Sequence, residues 1–511
     1  MNIKSVRKRI KEEGLKRAID LYLYRKSKKR LGLDKKEQKQ KEEKKEQKQK
    51  EEKKDIEPIA NFLIDQWIML WDKADFDEKK DIELIANFLI DQWIMLWYKA
   101  DFDEEQVKEL AEQILPLEKK KFKKYLKRRF IKKLMPEMYD KYREAPVENK
   151  IIFLQPRMGL NQSCRYFYKK LERETDYELK LYELHRNKVP NIKYFMNCLE
   201  FAKDMATAKA VMVHESSEYF GYLDIRKETK LIQLWHGCGI IKSIGMSNAG
   251  KEGYKTIQEY KEFPEYNKYD LVTIASDELR WVFEEFMGKE KGDPVIQSIG
   301  VARTDEFFDR EFIDNSYKKL YQKIPQAKGK KVILYAPTYR GLDPHREAPD
   351  KLDIAKFAEV LGEEYILIIK HHQTVSDLPV IPEAYRDSFA FDMTRGKGMN
   401  INELMTVADV CISDYSSLIF EFALFERPII FFMYDMEEYE DKRGMYYSYE
   451  ELAECGPIFK ENEEMIAYLS NLDQEFDKQK VVDFKNKFMS ACDGHSCERI
   501  MQFIETNKEE N

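Results

Sequence analysis

From about residue 146 onward, short apolar runs rich in β-branched residues alternate with stretches of helical pattern. Apolar strands separated by helices are typical of parallel sheets that are covered on both faces. A helical link near 306–326 divides the runs into two blocks. We therefore predict an α/β fold with two doubly wound domains, 146–305 and 306–511, which face each other across a cleft. The predicted strands are 151–155, 179–183, 210–214, 231–235, 271–275, 295–299, 331–336, 365–370, 388–392, 409–413 and 428–432.

The part of the chain before this alternation has a different pattern, which predicts an α-helical N-terminal extension. Residues 1–34 have the pattern of a basic amphipathic helix, and 35–54 form a charged low-complexity linker. Residues 55–145 form a helical region in which 55–77 recurs almost unchanged as 81–103, a tandem repeat. The two copies either pack on each other, mediate self-association into a homo-oligomer, or present their Trp side chains to a lipid interface.

The formal net charge of −6 conceals an asymmetry along the chain. Residues 1–54 carry a net charge of +12 and the remainder carries −18, while 119–133 contain ten Lys or Arg and no acid. Basic segments with an apolar stripe favour contact with an anionic membrane surface. A nucleic-acid partner is the weaker alternative, because no nucleic-acid module is recognisable. We therefore expect a cytoplasmic protein that is peripheral at the inner face of the cell membrane.

The seven cysteines are scattered, and none forms a CxxC pair. This spacing predicts reduced cytosolic thiols and argues against a disulfide framework or a structural zinc site. The sequence shows neither a signal-peptide pattern nor an uncharged apolar run of about eighteen residues. We therefore expect no secretion signal and no membrane-spanning helix.

Polar residues follow several predicted strands, at the edge where parallel sheets bind ligands. They are His236 and Gly237; Arg303 and Asp305; Thr338 and Arg340; Lys370, His371 and His372; and Ser413, Asp414, Ser416 and Ser417. In the last group an Asp or Ser side chain caps a following helix, whose free N–H groups are suited to phosphate. A lone histidine after a strand is more often structural than catalytic. The whole set, however, predicts a cleft that holds phosphates and moves a proton.

These residues lie in motifs that resemble those of the CDP-glycerol glycerophosphotransferase family, the teichoic-acid polymerases and primases with a GT-B fold of two Rossmann-like domains. The motifs are Leu234-Trp235-His236-Gly237 with Lys242 and Gly245, Gly300–Asp305, Leu334–Arg340, Lys370-His371-His372, Ser413–Ser417, Arg427–Phe431, and Tyr434-Asp435 through Tyr439 to Arg443-Gly444. The resemblance covers roughly 150–500. Three departures concern the substrate more than the reaction. They are Cys238-Gly239 after Trp-His-Gly, Gln373 in place of a proline, and Ala302 where proline is common.

The resemblance implies transfer of glycerol phosphate, or another polyol phosphate, from CDP-glycerol or a related donor to a hydroxyl of a lipid-linked or glycan acceptor, with release of CMP. It implies that His236 is the general base and that His372, or else His371, stabilises charge on the diphosphate. The implied donor-binding residues are Thr338, Arg340, Lys370, Ser413, Asp414, Ser416, Ser417 and Glu421. The other candidate cleft residues are Gly237, Arg303, Asp305, His371 and Arg443. These motifs contain no acidic cluster with metal-ligand spacing, so we expect neither an obligatory metal nor a cofactor.

Alternative functions are compatible with the same fold and motifs. A CDP-ribitol transferase, a transferase for another polyol phosphate or a nucleotide-sugar glycosyltransferase of the GT-B type fits the same motifs, because the size of the pocket, not the motif, decides between donors. A non-catalytic membrane scaffold is the second alternative. Cys238 and Gln373 favour the scaffold, whereas His236, Arg340 and Ser416 favour an enzyme. The resemblance implies a bacterial transferase of cell-wall teichoic-acid or capsule synthesis.

Overall fold

The computed structural model describes residues 130–156, 159–184, 191–251, 253–341, 346–372, 375, 377–394, 398–439 and 444–506. The predicted helix 1–34, the linker 35–54, both copies of the repeat and most of the basic stretch 119–133 lie outside these residues. Contacts divide the chain into two compact units. They are Met1–Lys141 with Glu183–Asp204, and Tyr142–Tyr182 with Met205–Asn511.

Helices separate most of the described strands, and four α-helices follow the last strand. The strands are β1 Glu148–Gln155, β2 Glu178–Glu183, β3 Ala208–Val213, β4 Lys230–Gln233, β5 Leu271–Thr273, β6 Ile296–Gln297, β7 Lys331–Tyr335, β8 Tyr365–Ile369, β9 Ala390–Asp392, β10 Val410–Ser413, β11 Ile429–Phe432 and β12 Ile458–Phe459. The α-helices are α1 Met135–Tyr142, α2 Gln162–Glu174, α3 Asn191–Met205, α4 Ile257–Glu262, α5 Arg280–Met287, α6 Arg310–Lys323, α7 Ile354–Leu361, α8 Ile401–Val407, α9 Leu418–Ala423, α10 Tyr449–Leu452, α11 Asn462–Ser470, α12 Leu472–Glu475, α13 Lys478–Phe488 and α14 Ser496–Glu505. A π-helical turn occupies Phe130–Leu134, and short 3-10 helices occupy Glu218–Phe220, Gly245–Asn248, Asp277–Leu279, Ala302–Phe308, Pro325–Ala327 and Ala453–Cys455.

In the first unit, the described elements are the π-helical turn, α1 up to Lys141 and α3 up to Asp204. The second unit contains two six-stranded sheets, with strand orders β2-β1-β3-β4-β5-β6 and β12-β11-β10-β7-β8-β9. The pairs from β1 through β6 and throughout the second sheet are parallel. The predicted α/β fold with two doubly wound parallel sheets is confirmed.

Each strand order reverses direction once, between β1 and β3 in the first sheet and between β7 and β10 in the second. At such a switch point the loops from neighbouring strands diverge and leave a crevice at the carboxyl edge. Every residue of β8, β10 and β11 is buried, because helices cover both faces of the sheet. That burial explains why these strands appear as unbroken apolar runs in the sequence.

Each sheet has its own apolar core. In the second sheet, residues of β7, β8, β10 and β11 pack with α7 and α11. In the first sheet, Ile151 and Phe153 of β1 pack with Cys497, Ile500 and Ile504 of α14. The C-terminal helix therefore returns to the first sheet, although its sequence position falls within the predicted second domain.

Two further sequence expectations concern the cysteines and the membrane. All seven cysteines are free and buried in the structure. Among the described helices, none combines the length and apolar character needed to span a bilayer.

Candidate active site

The side chain of His236 is exposed in a turn that follows β4. The residue before it, Trp235, has a φ of 58°, a left-handed conformation that is rare for a bulky side chain. The Trp235 ring packs against Phe283 and Phe286 at centroid distances of 5.4 and 5.1 Å, and its backbone N–H donates to Oε1 of Gln233 at 3.0 Å. These contacts hold the strained turn that presents His236 to solvent.

A hydrogen bond defines which nitrogen of the His236 ring carries the proton. Its Nδ1 lies 3.0 Å from the carbonyl oxygen of His214, just beyond β3. A carbonyl oxygen only accepts, so Nδ1 is the donor, and in the neutral ring the lone pair is then on Nε2. The ring can therefore take up a proton through Nε2, as a general base must.

Arg303 connects the His236 turn to helices of the second sheet. Its Nη1 donates to the carbonyl oxygen of His236 at 2.8 Å, and its Nη2 donates to Oδ1 of Asn402 in α8 at 2.9 Å. Oε1 of Glu421 in α9 lies 3.6 Å from Nη1. Burial raises the pKa of the Glu421 carboxyl, and the positive charge of Arg303 opposes that shift. The structure thus places two predicted site residues, Arg303 and Glu421, at the junction of the two sheets.

The residues that follow His236 lie close to helix α9. Cys238 is buried, and this burial raises the pKa of its thiol. Gly239 has no space for a side chain, because the ring of Phe420 occupies the position where a Cβ would lie. At Gly237, by contrast, a Cβ would meet nothing nearer than the Gly239 carbonyl oxygen at 3.8 Å. The Cys238-Gly239 departure therefore accompanies close packing of the first sheet's loop against the second sheet's helix.

Asp305 anchors the C-terminal helix. It is buried, and its carboxylate accepts hydrogen bonds from the backbone N–H groups of Ser496 and Cys497 at 3.1 and 2.7 Å. Burial raises the pKa of the Asp305 carboxyl, and these N–H groups oppose the shift. The structure thus gives this predicted cleft residue a helix-capping contact at the start of α14.

After β7, Arg340 is held between two carboxylates. Its Nε and Nη2 donate to Asp435 at 2.5 and 3.0 Å, and its Nη1 donates to Asp414 at 2.9 Å. The guanidinium also lies against the rings of Tyr415 and Tyr439, which stack at a centroid distance of 3.6 Å. Burial lowers the pKa of Arg340, but Asp435 and Asp414 raise it by more. To bind a diphosphate, Arg340 would have to exchange a carboxylate for a phosphate, so that role stays a prediction.

Hydrogen bonds join the loops after β7 and β10 at the switch point of the second sheet. The buried carboxylate of Asp414 accepts from the N–H groups of Thr338 and Tyr415 at 2.7 and 2.6 Å. Burial raises the pKa of this carboxyl. The hydroxyl of Ser413 donates to the carbonyl oxygen of Ala336 at 2.8 Å. Thr338, Ser413 and Asp414 are therefore brought together as their strand-end positions predict.

Helix α9 begins directly after Ser416 and Ser417, which are both partly exposed. Oγ of Ser416 accepts from the N–H of Leu418 at 3.3 Å, whereas Ser417 makes no side-chain cap hydrogen bond. The predicted side-chain cap is therefore absent at the N-cap residue Ser417, and the Ser416 hydroxyl bonds the first helical N–H from one residue earlier. Phosphate binding at these two serines stays a prediction.

Lys370 and Arg443 have different outcomes among the predicted cationic residues. Nζ of Lys370 donates to the backbone carbonyls of Met393 and Met399 at 2.5 and 3.2 Å, and burial lowers the pKa of its ammonium group. In this arrangement Lys370 links Met393 and Met399, which both follow β9. Arg443 lies outside the described residues.

The two neighbouring histidines after β8 have different surroundings. His371 is only 6% exposed, its Nδ1 has no hydrogen-bond partner, and burial lowers its pKa. It borders a cavity of about 200 Å³ at the carboxyl ends of β7, β8 and β9. His372 is exposed, with its ring 5.2 Å from that of Tyr339. The exposure of His372 favours it over His371 as the residue that meets a substrate.

Sequence reasoning missed Asn402. This residue is fully buried in the first turn of α8, and its amide nitrogen donates to Oε1 of Glu306. Helix α8 begins with a capping box in which Asn400 and Glu403 each accept a hydrogen bond from the other's backbone. That box is readable in the sequence, and a polar residue inside it is the signal that could have drawn attention to Asn402.

Two doubly wound parallel sheets, with polar side chains gathered after β4, β6, β7, β8 and β10, define a protein of the GT-B architectural class. Residues 137–506 match the model of the CDP-glycerol:poly(glycerophosphate) glycerophosphotransferase family. The chain therefore belongs to this family, and the resemblance inferred from its motifs is confirmed.

The chain is similar to polymerases of ribitol phosphate and of glycerol phosphate. The chain is 32% identical over 392 residues to the teichoic acid poly(ribitol-phosphate) polymerase of Bacillus spizizenii, an alignment that covers 75% of this chain and 61% of that protein. It is 29% identical over 374 residues to the teichoic acid poly(glycerol phosphate) polymerase of the same species, covering 70% and 92%. A variant of the wall teichoic acid polymerase TagF, soaked with CDPG, aligns with a TM-score of 0.60 and 23% identity over 76% of this chain and 98% of that one. This last likeness supports the fold alone.

Proposed function

We propose that this protein transfers a polyol phosphate from a CDP-activated donor to a hydroxyl of a lipid-linked or glycan acceptor, with release of CMP, in the synthesis of teichoic acid or a related cell-surface polymer. One observation carries the proposal. The exposed His236 has Nδ1 bound to a carbonyl, which leaves Nε2 as its basic nitrogen, in a turn joined by Arg303 to the second sheet. Membership of the glycerophosphotransferase family supports the same reaction.

The proposed step is a displacement at phosphorus. Nε2 of His236 takes the proton of the acceptor hydroxyl, and the oxygen attacks the β-phosphorus of the donor. A new phosphorus–oxygen bond forms to the acceptor. The bond from the β-phosphorus to the bridging oxygen breaks, and its electron pair leaves with CMP. A neutral imidazole suits this role near pH 7, because it accepts a proton without first losing one.

The second sheet would supply the groups that stabilise the phosphoryl charge. His372, Ser416 and Ser417 are the proposed contacts, since each is at least partly exposed after β8 or β10. Arg340 and Lys370 would need to release their present partners to join them. Among the described residues, no three His, Cys, Asp or Glu side chains gather as a metal site. We propose that turnover continues in EDTA.

The polyol has two candidates. Glycerol phosphate is favoured by the name of the family, and ribitol phosphate is favoured by the poly(ribitol-phosphate) polymerase, to which the chain is 32% identical. Incubation with CDP-glycerol, CDP-ribitol and UDP-sugars, followed by quantification of CMP and UDP, separates these donors. Release of UDP alone would show a glycosyltransferase, and release of neither nucleotide with any acceptor would favour the scaffold.

The acceptor is proposed to lie at a membrane surface. The basic stretches at 1–34 and 119–133 have the composition of segments that bind anionic lipid. They would hold the catalytic sheets near a lipid-linked acceptor.

Replacement of the proposed base is the direct test. We expect His236→Ala to lower the rate of CMP release by about 100- to 10,000-fold, the usual loss when a general base is removed. Circular dichroism and the melting temperature should match those of the unchanged protein, because the ring is exposed. Retention of full activity by a folded His236→Ala protein would remove His236 from the mechanism.

A further inference from the structure

Asn402, a residue outside the predicted set, is linked to the His236 turn through the side chain of Arg303. The side chain of Arg303 is only 12% exposed. It donates from Nη1 to the carbonyl oxygen of His236 at 2.8 Å, and from Nη2 to Oδ1 of Asn402 at 2.9 Å. Arg303 follows β6 of the first sheet, and Asn402 lies in the helix that follows β9 of the second sheet. The chain of hydrogen bonds therefore crosses from one sheet to the other.

Asn402 has a fixed orientation. Its side chain is fully buried, with Oδ1 accepting from Arg303 and the amide nitrogen donating to Oε1 of Glu306. A rotation of the amide by 180° would place its NH2 group against the guanidinium and its oxygen against the carboxylate, which loses both bonds. Both partners lie in the same 3-10 segment, Ala302–Phe308. Asn402 is thus a two-point clamp on the segment that carries Arg303.

The His236 turn needs such support. Trp235 has a φ of 58°, and strained backbone persists only where its surroundings fix it. Nδ1 of His236 is bound to the His214 carbonyl from within the first sheet. The hydrogen bond from Arg303 fixes a second polar group of the same residue, its backbone carbonyl. Displacement of Arg303 would release this carbonyl and with it the direction of the imidazole.

We infer that Asn402 is a positioning residue for the reaction and acts through Arg303 to hold the His236 turn when α8 is docked against the first sheet. The inference rests on the proposed role of His236 as the base. It makes the alignment of the base depend on the second sheet, which carries the proposed phosphate contacts. Both halves of the site would then be assembled by the same contact.

The test measures kcat and KM for the CDP-polyol donor with Asn402→Ala in the full-length protein. We expect kcat to fall about 10- to 100-fold, as for a base displaced by about 1 Å, while KM for the donor stays within about twofold. Adding Asn402→Ala to an Arg303→Met protein should not lower kcat further, because Arg303→Met already removes the hydrogen bonds through which Asn402 acts. Multiplicative losses in the Arg303→Met/Asn402→Ala protein would overturn the inference.

Gln162→Ala is the matched control. Nε2 of Gln162 in α2 donates to Oδ1 of Asn400 at 3.1 Å, so this variant also breaks a hydrogen bond between the first sheet's helices and the start of α8. It leaves Arg303 untouched, and we expect kcat within about twofold of the unchanged protein. A loss in Gln162→Ala equal to that in Asn402→Ala would show general loosening of the two sheets and overturn the inference.

Two further measurements separate this inference from the proposed function and from a failure to fold. Glu306→Gln keeps the shape of the clamp and weakens its hold on Asn402, so a folded Glu306→Gln protein should show a smaller loss of kcat in the same direction. His236→Ala tests the base itself. If His236→Ala is inactive while Asn402→Ala and Glu306→Gln keep full kcat, the positioning role fails and the proposed function stands. If His236→Ala is active, the proposed base fails first.

Discussion

At the scale of single residues, the guanidinium of Arg340 forms largely buried ion pairs with two carboxylates after the strands of the second sheet. Its side chain is 17% exposed, and those of its partners Asp414 and Asp435 are 2% and 15% exposed. Two carboxylates so far from water depend on their shared cation, because an unpaired buried charge is costly. Arg340 therefore stabilises the loops after β7 and β10 whether or not it also meets a substrate.

Loss of the Arg340 cation should lower the stability of the fold. We expect Arg340→Met to lower the free energy of unfolding by about 3–5 kcal/mol, since it leaves the buried carboxylate of Asp414 and the partly buried carboxylate of Asp435 without their cation. Urea unfolding measures the change. Arg310→Met is the control: its side chain is 84% exposed and pairs with Asp314 at the surface, so stability should hardly change. An Arg340→Met protein as stable as the control would contradict the buried-charge argument.

His371 should give the stability a pH dependence. Burial lowers its pKa below the ordinary 6.5, so the unfolded chain binds a proton more readily than the folded one. Stability is therefore lost as pH falls below about 6.5, until the lowered pKa of the folded state is reached. We expect His371→Gln to have a melting temperature that falls less between pH 7.5 and 5.5.

The exposed His495, with a side chain 70% accessible, provides the comparison for this experiment. His495→Gln should follow the slope of the unchanged protein. Equal slopes for His371→Gln and the unchanged protein would mean that the burial of His371 has no influence on stability in this pH range.

The identity of the candidate site residues was readable in the sequence, but their partners were not. His236 was predicted because it follows an apolar run, and the structure does place it after β4. The carbonyl that defines its tautomer belongs to His214, after a different strand. Likewise nothing local shows that Arg340 and Asp435 share a bidentate ion pair across 95 residues. Periodicity reports which residues are buried, whereas pairing depends on the tertiary arrangement.

At the scale of secondary-structure elements, the contact between the loop after β4 and helix α9 is set by the absence of a side chain. The Phe420 ring lies where a Cβ on Gly239 would be, so only glycine fits there. Phe420 also packs against Phe484 and Phe488 of α13, at centroid distances of 5.3 Å to each. The ring therefore cannot move away without disturbing a second helix.

We expect Gly239→Ala to lower the free energy of unfolding by about 1–3 kcal/mol, the usual cost of overpacking. Gly237→Ala is the control two residues earlier, where a Cβ has space, and should change stability by no more than about 0.5 kcal/mol. Differential scanning calorimetry of both variants makes the comparison. Adding Phe420→Leu to Gly239→Ala should restore part of the loss, and a further loss instead would refute the steric explanation.

Existence of the elements was easier to predict than their limits. Each of the eleven predicted strands overlaps an observed one, from β1 to β11. The missed strand, β12, has two residues and exists through its pairing with β11, so it has too little pattern of its own to detect. The predicted 295–299 is only Ile296–Gln297 in the structure, and the chain then turns at Gly300, which has a φ of 87°. Short strands are defined by their neighbours more than by their own residues.

At the scale of the whole molecule, the net charge of the N-terminal segment has the opposite sign to that of the rest of the chain. Residues 1–54 carry +12 and the remainder carries −18. An acidic catalytic part is repelled by an anionic bilayer, so any attraction must come from the basic segments. These segments lie outside the described residues, and their role rests on composition.

We expect the full-length protein to sediment with vesicles of anionic lipid at low salt and to be released at high salt. Each well-placed basic residue contributes about 1 kcal/mol at low ionic strength, and screening removes much of this by about 1 M. Vesicles of neutral lipid serve as the control. Equal binding to neutral and anionic vesicles would point to the Trp-rich repeat instead, and no binding to either would exclude the membrane role.

The return of α14 to the first sheet has a consequence for folding during translation. Cys497, Ile500 and Ile504 complete the core around Ile151 and Phe153. The carboxylate of Asp305 accepts hydrogen bonds from the N–H groups of Ser496 and Cys497, which are synthesised much later. During synthesis on the ribosome, the core of the first sheet therefore stays incomplete until the residues of α14, Ser496–Glu505, have been made. We expect it to expose apolar surface to chaperones throughout translation of the half made later, and a nascent chain stalled before α14 to remain a target for proteolysis.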